Sequence, residues 1–120
     1  MKKITIAFDV DGTLISNAPR KSGEPFIVAN ERIRTLLIIL ASFKNTKIVV
    51  WSGSGEIWAR QAVNEIGIAK YVDVIMSKNH VASSMDGKNH VFEPDIVPDI
   101  AIDDIQDCEL GNLNLIVREK

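Results

Sequence analysis

Short apolar runs alternate with amphipathic segments along the chain, and this alternation predicts its secondary structure. Runs typical of buried strands lie at residues 4–8, 47–51, 71–76, 99–102 and 113–117. Between the first two, residues 29–43 place apolar side chains at helical spacing, and Asn30 is the candidate N-cap of that helix. The pattern therefore predicts five strands with a helix after the first.

A second helix is predicted after the strand at 47–51. Ser54 is the candidate for its N-cap and Gly67 for its end. The apolar side chains assigned to its buried face are Ile57, Trp58, Ala62, Val63 and Ile66. Strands that alternate with helices favour an α/β fold, here a three-layer Rossmann-like domain with a mainly parallel five-stranded sheet.

Size and composition narrow the class of protein. The chain has 120 residues, of which 46% are hydrophobic and 25% are charged, so we expect one globular domain over residues 1–120. The net charge of −2 disfavours nucleic acid as a partner without excluding it. The lone cysteine, Cys108, fits a reducing compartment, and no apolar run reaches membrane length, so we expect a cytoplasmic protein without membrane contact.

Polar side chains follow four of the five predicted strands. Parallel strands bring their carboxyl ends to one edge of a sheet, where ligands bind at the switch in strand order. We therefore expect these groups to converge in one crevice suited to phosphate and a divalent cation. They are Asp9, Asp11, Ser52, Lys78, Asp103 and Asp104.

The aspartates of this set point to metal-assisted phosphoryl transfer. Carboxylates packed together repel one another, and a hard cation such as Mg²⁺ relieves that repulsion. Asp9 is the candidate nucleophile that would form an aspartyl-phosphate, and Asp11 is the candidate general acid and base. Gly12 permits the turn that brings both carboxylates into one site.

The phosphate itself needs hydrogen-bond donors and positive charge. Ser52 offers a hydroxyl and Gly53 a backbone N–H beside the start of a helix, although Ser52 could also be an ordinary helix cap. Lys78 is the favoured phosphate-binding lysine, because the rival Lys88 leaves less room for a helix before the fourth strand.

Two further residue types receive no catalytic assignment. His80 and His90 could indicate zinc, but no third ligand accompanies them, and their roles stay open. Trp51 and Trp58 are assigned to the core, with stacking against a base as the less favoured alternative.

Four segments of the chain resemble, in order, the motifs of the haloacid dehalogenase-like hydrolase superfamily. These are Asp-Val-Asp-Gly-Thr at 9–13, Val-Val-Trp-Ser-Gly at 49–53, Lys78, and Ile-Asp-Asp at 102–104. The resemblance implies that Asp9 is the nucleophile, Asp11 the acid and base, and Ser52 with Lys78 the phosphate ligands. It also implies the phosphatase branch, because true dehalogenases of the superfamily lack the counterpart of Asp11.

The same resemblance implies a metal site and an open architecture. Mg²⁺ would be held by Asp9, the backbone carbonyl of Asp11, and either Asp104 or Asp103. The segments between the motifs are too short for a cap domain, so we expect a capless or minimally capped member. Such members act on bulky substrates or borrow a lid from a neighbouring subunit, which leaves homo-oligomerisation open.

The resulting expectation is a Mg²⁺-dependent phosphomonoesterase whose substrate the sequence does not name. One alternative is a non-catalytic phosphate-binding or regulatory module on the same fold. Another is a polynucleotide-end phosphatase, because residues 101–104 and the short chain also resemble the phosphatase domain of polynucleotide kinase-phosphatases. A phosphoacceptor signalling domain is disfavoured. In such a domain the acidic pair and the phosphoacceptor lie on different strands, whereas here Asp9 and Asp11 follow the same strand.

Overall fold

A computed structural model describes residues 3–17, 22–23, 25–78, 81–83, 89–91, 97–106 and 108–118, with the backbone alone for 81–83 and 89–91. The helices are α1 (Glu31–Ala41) and α2 (Glu56–Glu65), and a 3₁₀ turn spans Ala69–Tyr71. The strands are β1 (Ile4–Asp9), β2 (Thr46–Ser52), β3 (Val74–Ser77), β4 (Val81–Ser83), β5 (Asn89–Val91), β6 (Ile100–Asp103) and β7 (Leu113–Ile116).

Five of the strands form one parallel sheet, in the order β3-β2-β1-β6-β7. The predicted α/β class and the five-stranded parallel sheet are confirmed. β4 and β5 pair antiparallel as a separate two-stranded sheet, in a stretch where the sequence predicted no strand. Strand order reverses beside β1, because the chain first adds strands on one side of β1 and later on the other. The switch point therefore lies between the carboxyl ends of β1 and β6.

Each face of the sheet carries alternate residues of its strands, as the period of two in a β-strand requires. On one face, strand residues pack with both helices in the main core, which includes Ile6, Phe8, Ile48, Val50, Leu37, Ala62 and Val63. On the opposite face, Ala7, Val49 and Trp51 pack against Val74, Met76 and Leu110. Strands buried on both faces explain why the sequence shows continuous apolar runs rather than alternation.

The helix starts differ from the sequence prediction. Asn30 stands at the N-cap of α1, but its side chain makes no capping hydrogen bond. The prediction of Ser54 as the cap of α2 is wrong. Gly55 occupies that position with φ 106°, and the backbone N–H of Ser54 donates to Ser52 Oγ at 3.0 Å. Ile57 is 85% exposed, so it does not belong to the buried face of α2.

The end of α2 follows the sequence prediction closely. Gly67 adopts φ 73°, a left-handed conformation that glycine accepts without steric cost. The N–H of Ile68 donates to the Val63 carbonyl at 3.1 Å, and the N–H of Gly67 donates to the Asn64 carbonyl at 3.2 Å. This pair of bonds is a Schellman motif, which ends the helix and turns the chain toward β3.

The third strand begins later than predicted. Residues 69–71 form the 3₁₀ turn, and the Asp73 carboxylate accepts the N–H of Ile48 at 2.8 Å before β3 starts at Val74. Neither described helix is both long enough and apolar enough to cross a membrane. His80 and Lys88 lie outside the described residues, as does the side chain of His90.

Candidate active site

A tight turn after β1 sets the centre of the site. Asp9 is the last residue of β1 and is 6% exposed. The turn is closed by backbone hydrogen bonds from Gly12 N–H to the Ile15 carbonyl at 2.9 Å and from Ile15 N–H to the Val10 carbonyl at 3.1 Å. The turn therefore fixes the backbone that carries the Asp9 and Asp11 side chains.

Position 12 needs a glycine for a second reason, besides its backbone conformation of φ 78°. A Cβ added there would lie 2.1 Å from Asp104 Oδ2 and 2.7 Å from Asn17 Nδ2. Both distances are far inside van der Waals contact, so a side chain at this position would displace the Asp104 carboxylate. Gly12, which the sequence predicted for the turn, therefore also leaves the space that the Asp104 carboxylate occupies.

Lys78 joins the ends of three neighbouring strands. Its Nζ lies 3.0 Å from Asp9 Oδ1 and 2.5 Å from Asp103 Oδ2. Its backbone N–H donates to the Ser52 carbonyl at 2.9 Å, which ties the end of β3 to the end of β2. The Lys78 side chain is only 11% exposed, so these ion pairs are shielded from water.

The three aspartates next to Lys78 form one cluster. Asp9, Asp103 and Asp104 each offer a carboxylate oxygen, and these oxygens lie within 4.8 Å of one another. Asp103 Oδ1 accepts the N–H of Ile105 at 3.1 Å, and its Oδ2 lies 2.5 Å from Lys78 Nζ. Asp104 is half-buried on the open side of the cluster.

Burial and mutual repulsion perturb the ionisation of this cluster. Burial is the largest cause that raises the pKa of Asp9, from its usual 3.8 to about 7, and the charge of Asp103 adds to it while Lys78 opposes it. Burial also raises the pKa of Asp104. Burial acts to lower the pKa of Lys78, but the hydrogen bond to Asp103 and the attraction of Asp9 raise it overall.

The donor set of the cluster fits a hard divalent cation. Three carboxylates face one lysine ammonium in the described part of the site, so the ionised cluster has excess negative charge. Without a cation, protonation relieves this excess, which the raised pKa values of Asp9 and Asp104 reflect. Mg²⁺ prefers such oxygen ligands and retains several waters, so a partly open carboxylate site suits it.

Ser52 lies at the end of β2 and is 1% exposed. Its Oγ accepts the N–H of Ser54, and its carbonyl accepts the N–H groups of Gly55 and Lys78. The neighbouring Gly53 is exposed, and α2 begins three residues after it. Ser52 and Gly53 therefore lie on the same sheet edge as Asp9, next to the N-terminus of a helix.

Asp11 is not part of the aspartate cluster, and its side chain contacts α2. Both of its carboxylate oxygens accept a hydrogen bond from the indole Nε1 of Trp58, at 3.3 Å to Oδ1 and 3.2 Å to Oδ2. The assignment of Trp58 to the core overlooked this polar contact. No sequence signal links two residues 47 positions apart, although the indole N–H of a partly buried tryptophan usually has a partner.

Thr13 is a second residue whose contact sequence reasoning missed. It is fully buried, and its Oγ1 donates to Asp9 Oδ2 at 3.4 Å. The signal was present, because Thr13 lies within the 9–13 segment that carries the resemblance. A buried hydroxyl four residues after a buried carboxylate, across a tight turn, is well placed to restrain it.

A cleft of about 530 Å³ adjoins the aspartate cluster on the β7 side. Asp104 and Gly12 form its inner wall, so the cleft opens directly onto the carboxylate site. Its lining consists of Gly12, Asn17, Asp104, Gln106, Ile116, Val117 and Arg118.

Comparison of the chain with protein-family models, curated proteins and solved structures finds no match.

Proposed function

We propose that this protein is a Mg²⁺-dependent phosphomonoesterase of the haloacid dehalogenase-like type, with Asp9 as the nucleophile. The observation that carries the proposal is the setting of Asp9. Its buried carboxylate ends a central parallel strand at the switch point and contacts a buried lysine. Two more carboxylates, those of Asp103 and Asp104, lie within 4.8 Å of it.

In the proposed reaction, a carboxylate oxygen of Asp9 attacks the phosphorus of the substrate. The bond from phosphorus to the leaving oxygen breaks, and that oxygen takes a proton from the Asp11 carboxyl group. The Asp11 carboxylate then removes a proton from a water molecule whose oxygen attacks the aspartyl-phosphate. This second step releases inorganic phosphate, frees Asp9 and returns the proton to Asp11.

The proposed metal ligands are Asp9, Asp104 and the backbone carbonyl of Asp11. Asp104 is favoured over Asp103 as the direct ligand, because Asp104 lines the open cleft whereas Asp103 is fully buried. Bound Mg²⁺ would neutralise the negative charge of the substrate phosphate and of Asp9.

The proposed phosphate ligands are the Ser52 hydroxyl, the Gly53 backbone N–H and Lys78. Lys78 contacts both Asp9 and Asp103, and its positive charge would also stabilise the negative charge that develops on the phosphoryl oxygens. A capless or minimally capped site that opens onto a cleft would fit substrates of varied size. A cytoplasmic location would fit the single cysteine.

Hydrolysis of p-nitrophenyl phosphate with Mg²⁺ or with EDTA tests the proposal. We expect turnover that needs Mg²⁺ and is lost in Asp9→Asn, which keeps the size of the side chain and removes the nucleophile. Equal activity in Asp9→Asn would contradict the nucleophile assignment. No turnover on nucleotides, sugar phosphates or phosphorylated polynucleotide ends would favour the non-catalytic phosphate-binding module instead.

A further inference from the structure

The hydrogen bond between Trp58 and Asp11 has no role in the chemistry described above. Trp58 is the third residue of α2, and its single indole N–H lies nearly equidistant from the two Asp11 oxygens. We propose that Trp58 is a positioning residue, which holds the Asp11 carboxyl group in the orientation needed for proton transfer to the leaving oxygen. This inference rests on the proposed function, because it assigns Asp11 that proton transfer.

The need for positioning follows from the place of Asp11 in the fold. Asp11 lies on the turn beyond β1 and is half-buried, whereas Asp9 is held by Lys78 and Thr13. Rotation of a carboxyl group about its last torsion has a broad energy profile, so packing alone defines its plane poorly. A donor that contacts both oxygens restrains that rotation, and each oxygen keeps a lone pair for the proton it exchanges.

Trp58 is itself well supported. It belongs to a helix that packs into the main core, and its own ring contacts that core. On its other side, the ring of Phe26 meets the indole edge to face, with centroids 6.3 Å apart and planes at 80°. This arrangement is a favoured aromatic geometry, and although Phe26 is itself 74% exposed, its ring and the core contact together restrain the indole.

The chain also contains a matched control. Trp51 is its other tryptophan and is 3% exposed, and its Nε1 has no hydrogen-bond partner among the described residues. It lies on the opposite face of the sheet, against Ala7 and Val49. A change of either tryptophan to phenylalanine removes an indole from a packed environment, but only the change at position 58 removes a hydrogen bond to Asp11.

The proposal predicts a dependence on the leaving group. An alkoxide is a poor leaving group and needs a proton from Asp11, whereas a nitrophenolate departs with little help. The ratio kcat/KM reports the steps up to departure of the leaving group, since these precede hydrolysis of the aspartyl-phosphate. Misplacement of Asp11 should therefore lower kcat/KM for alkyl phosphates and barely change it for nitrophenyl phosphate.

The experiment compares wild-type protein, Trp58→Phe and Trp51→Phe on a series from nitrophenyl to alkyl phosphates in excess Mg²⁺. For Trp58→Phe we expect kcat/KM for alkyl phosphates to fall about tenfold further than for nitrophenyl phosphate. Trp51→Phe should keep the wild-type ratio between the substrates. An equal loss on all substrates in Trp58→Phe would overturn the positioning role and leave a structural one.

A spectroscopic comparison tests the contact without turnover. In Trp51→Phe protein, Trp58 is the sole tryptophan. Asp11→Asn in that background should shift the fluorescence emission of Trp58, because it replaces one oxygen of the carboxyl acceptor by an amide NH₂ group. Unchanged emission would overturn the contact and the inference with it. Wild-type protein that hydrolyses none of the substrates would instead overturn the proposed function, even if the emission shifts.

Discussion

Without a divalent cation, the folded protein should lose stability as the pH rises toward neutrality. The cause is Asp9, whose pKa burial raises from 3.8 to about 7. Each pKa unit corresponds to about 1.4 kcal/mol, so ionised Asp9 costs the fold about 4 kcal/mol relative to the unfolded chain. This cost is a large fraction of the stability of an ordinary domain, which is about 5–15 kcal/mol.

The sign follows from proton binding. Between pH 3.8 and about 7 the folded protein keeps a proton on Asp9 that the unfolded chain has released. Stability therefore falls as the pH rises through this window, and the loss is complete above it. Asp104, whose pKa is also raised, acts in the same direction. Lys78 has a raised pKa as well, but its contribution is lost only above its usual value of 10.5.

The assay is urea unfolding in EDTA across this pH window, for wild-type protein and for Asp9→Asn. The amide is neutral at every pH, so the difference between the two free energies of unfolding reports the ionisation of Asp9 together with its effect on the neighbouring Asp104. We expect wild-type protein to lose up to about 4 kcal/mol relative to the variant between about pH 4 and pH 7.5.

Mg²⁺ should reverse this loss for wild-type protein at neutral pH. A free Mg²⁺ concentration of 100 times Kd adds about 2.7 kcal/mol to the free energy of unfolding. The gain should be much smaller at about pH 4, where protons compete with Mg²⁺ for the carboxyl groups of the cluster. A wild-type stability that stays level with that of Asp9→Asn across the window would refute the reasoning. An equal effect of Mg²⁺ at both pH values would refute the metal assignment.

Two substitutions test the supports of the cluster. Gly12→Ala should weaken Mg²⁺ binding about tenfold or more, measured as the shift in thermal unfolding with Mg²⁺ concentration, because its Cβ would displace Asp104. Gly23→Ala is the control, since Gly23 has φ 87° and its added Cβ would have no atom of the described residues within 4 Å. An equal effect in Gly23→Ala would show that backbone strain, and not the Asp104 contact, weakens Mg²⁺ binding. Lys78→Met should destabilise the EDTA-treated protein by about 3 kcal/mol in urea unfolding at neutral pH, because it leaves buried carboxylates unpaired. The exposed Lys70→Met should change stability little, and equal losses in the two lysine variants would contradict the buried pairing.

Much of the candidate site could be predicted because a parallel sheet aligns its strand ends. Asp9, Ser52, Lys78 and Asp103 each lie at or next to the carboxyl end of a strand, so once the strands were identified their proximity followed. The choice of Lys78 needed no exact strand boundary. β3 starts three residues later than predicted, yet it still ends at Ser77, immediately before the lysine.

The contacts that could not be predicted depend on side-chain direction rather than on strand order. The hydrophobic pattern placed Trp58 and Ile57 together on the buried face of α2. In the structure Ile57 is 85% exposed, and the Trp58 indole reaches Asp11. The rotation of a helix about its axis is set by packing over its whole length, so a pattern with apolar residues at adjacent positions leaves it undetermined. The N-cap of α2 at Gly55 instead of Ser54 also depends on a side-chain contact, because the Ser52 hydroxyl accepts the Ser54 N–H.

The most direct test of the central claim is detection of the phosphoryl group on Asp9. Asp11→Asn should still transfer the phosphoryl group of nitrophenyl phosphate to Asp9, because nitrophenolate departs without a proton, but it should hydrolyse the aspartyl-phosphate slowly. Rapid acid quench followed by mass spectrometry of the peptides should then find phosphate on Asp9 in the presence of Mg²⁺ and not in EDTA. Phosphate on another residue, or turnover in which no phosphoenzyme forms, would contradict the account.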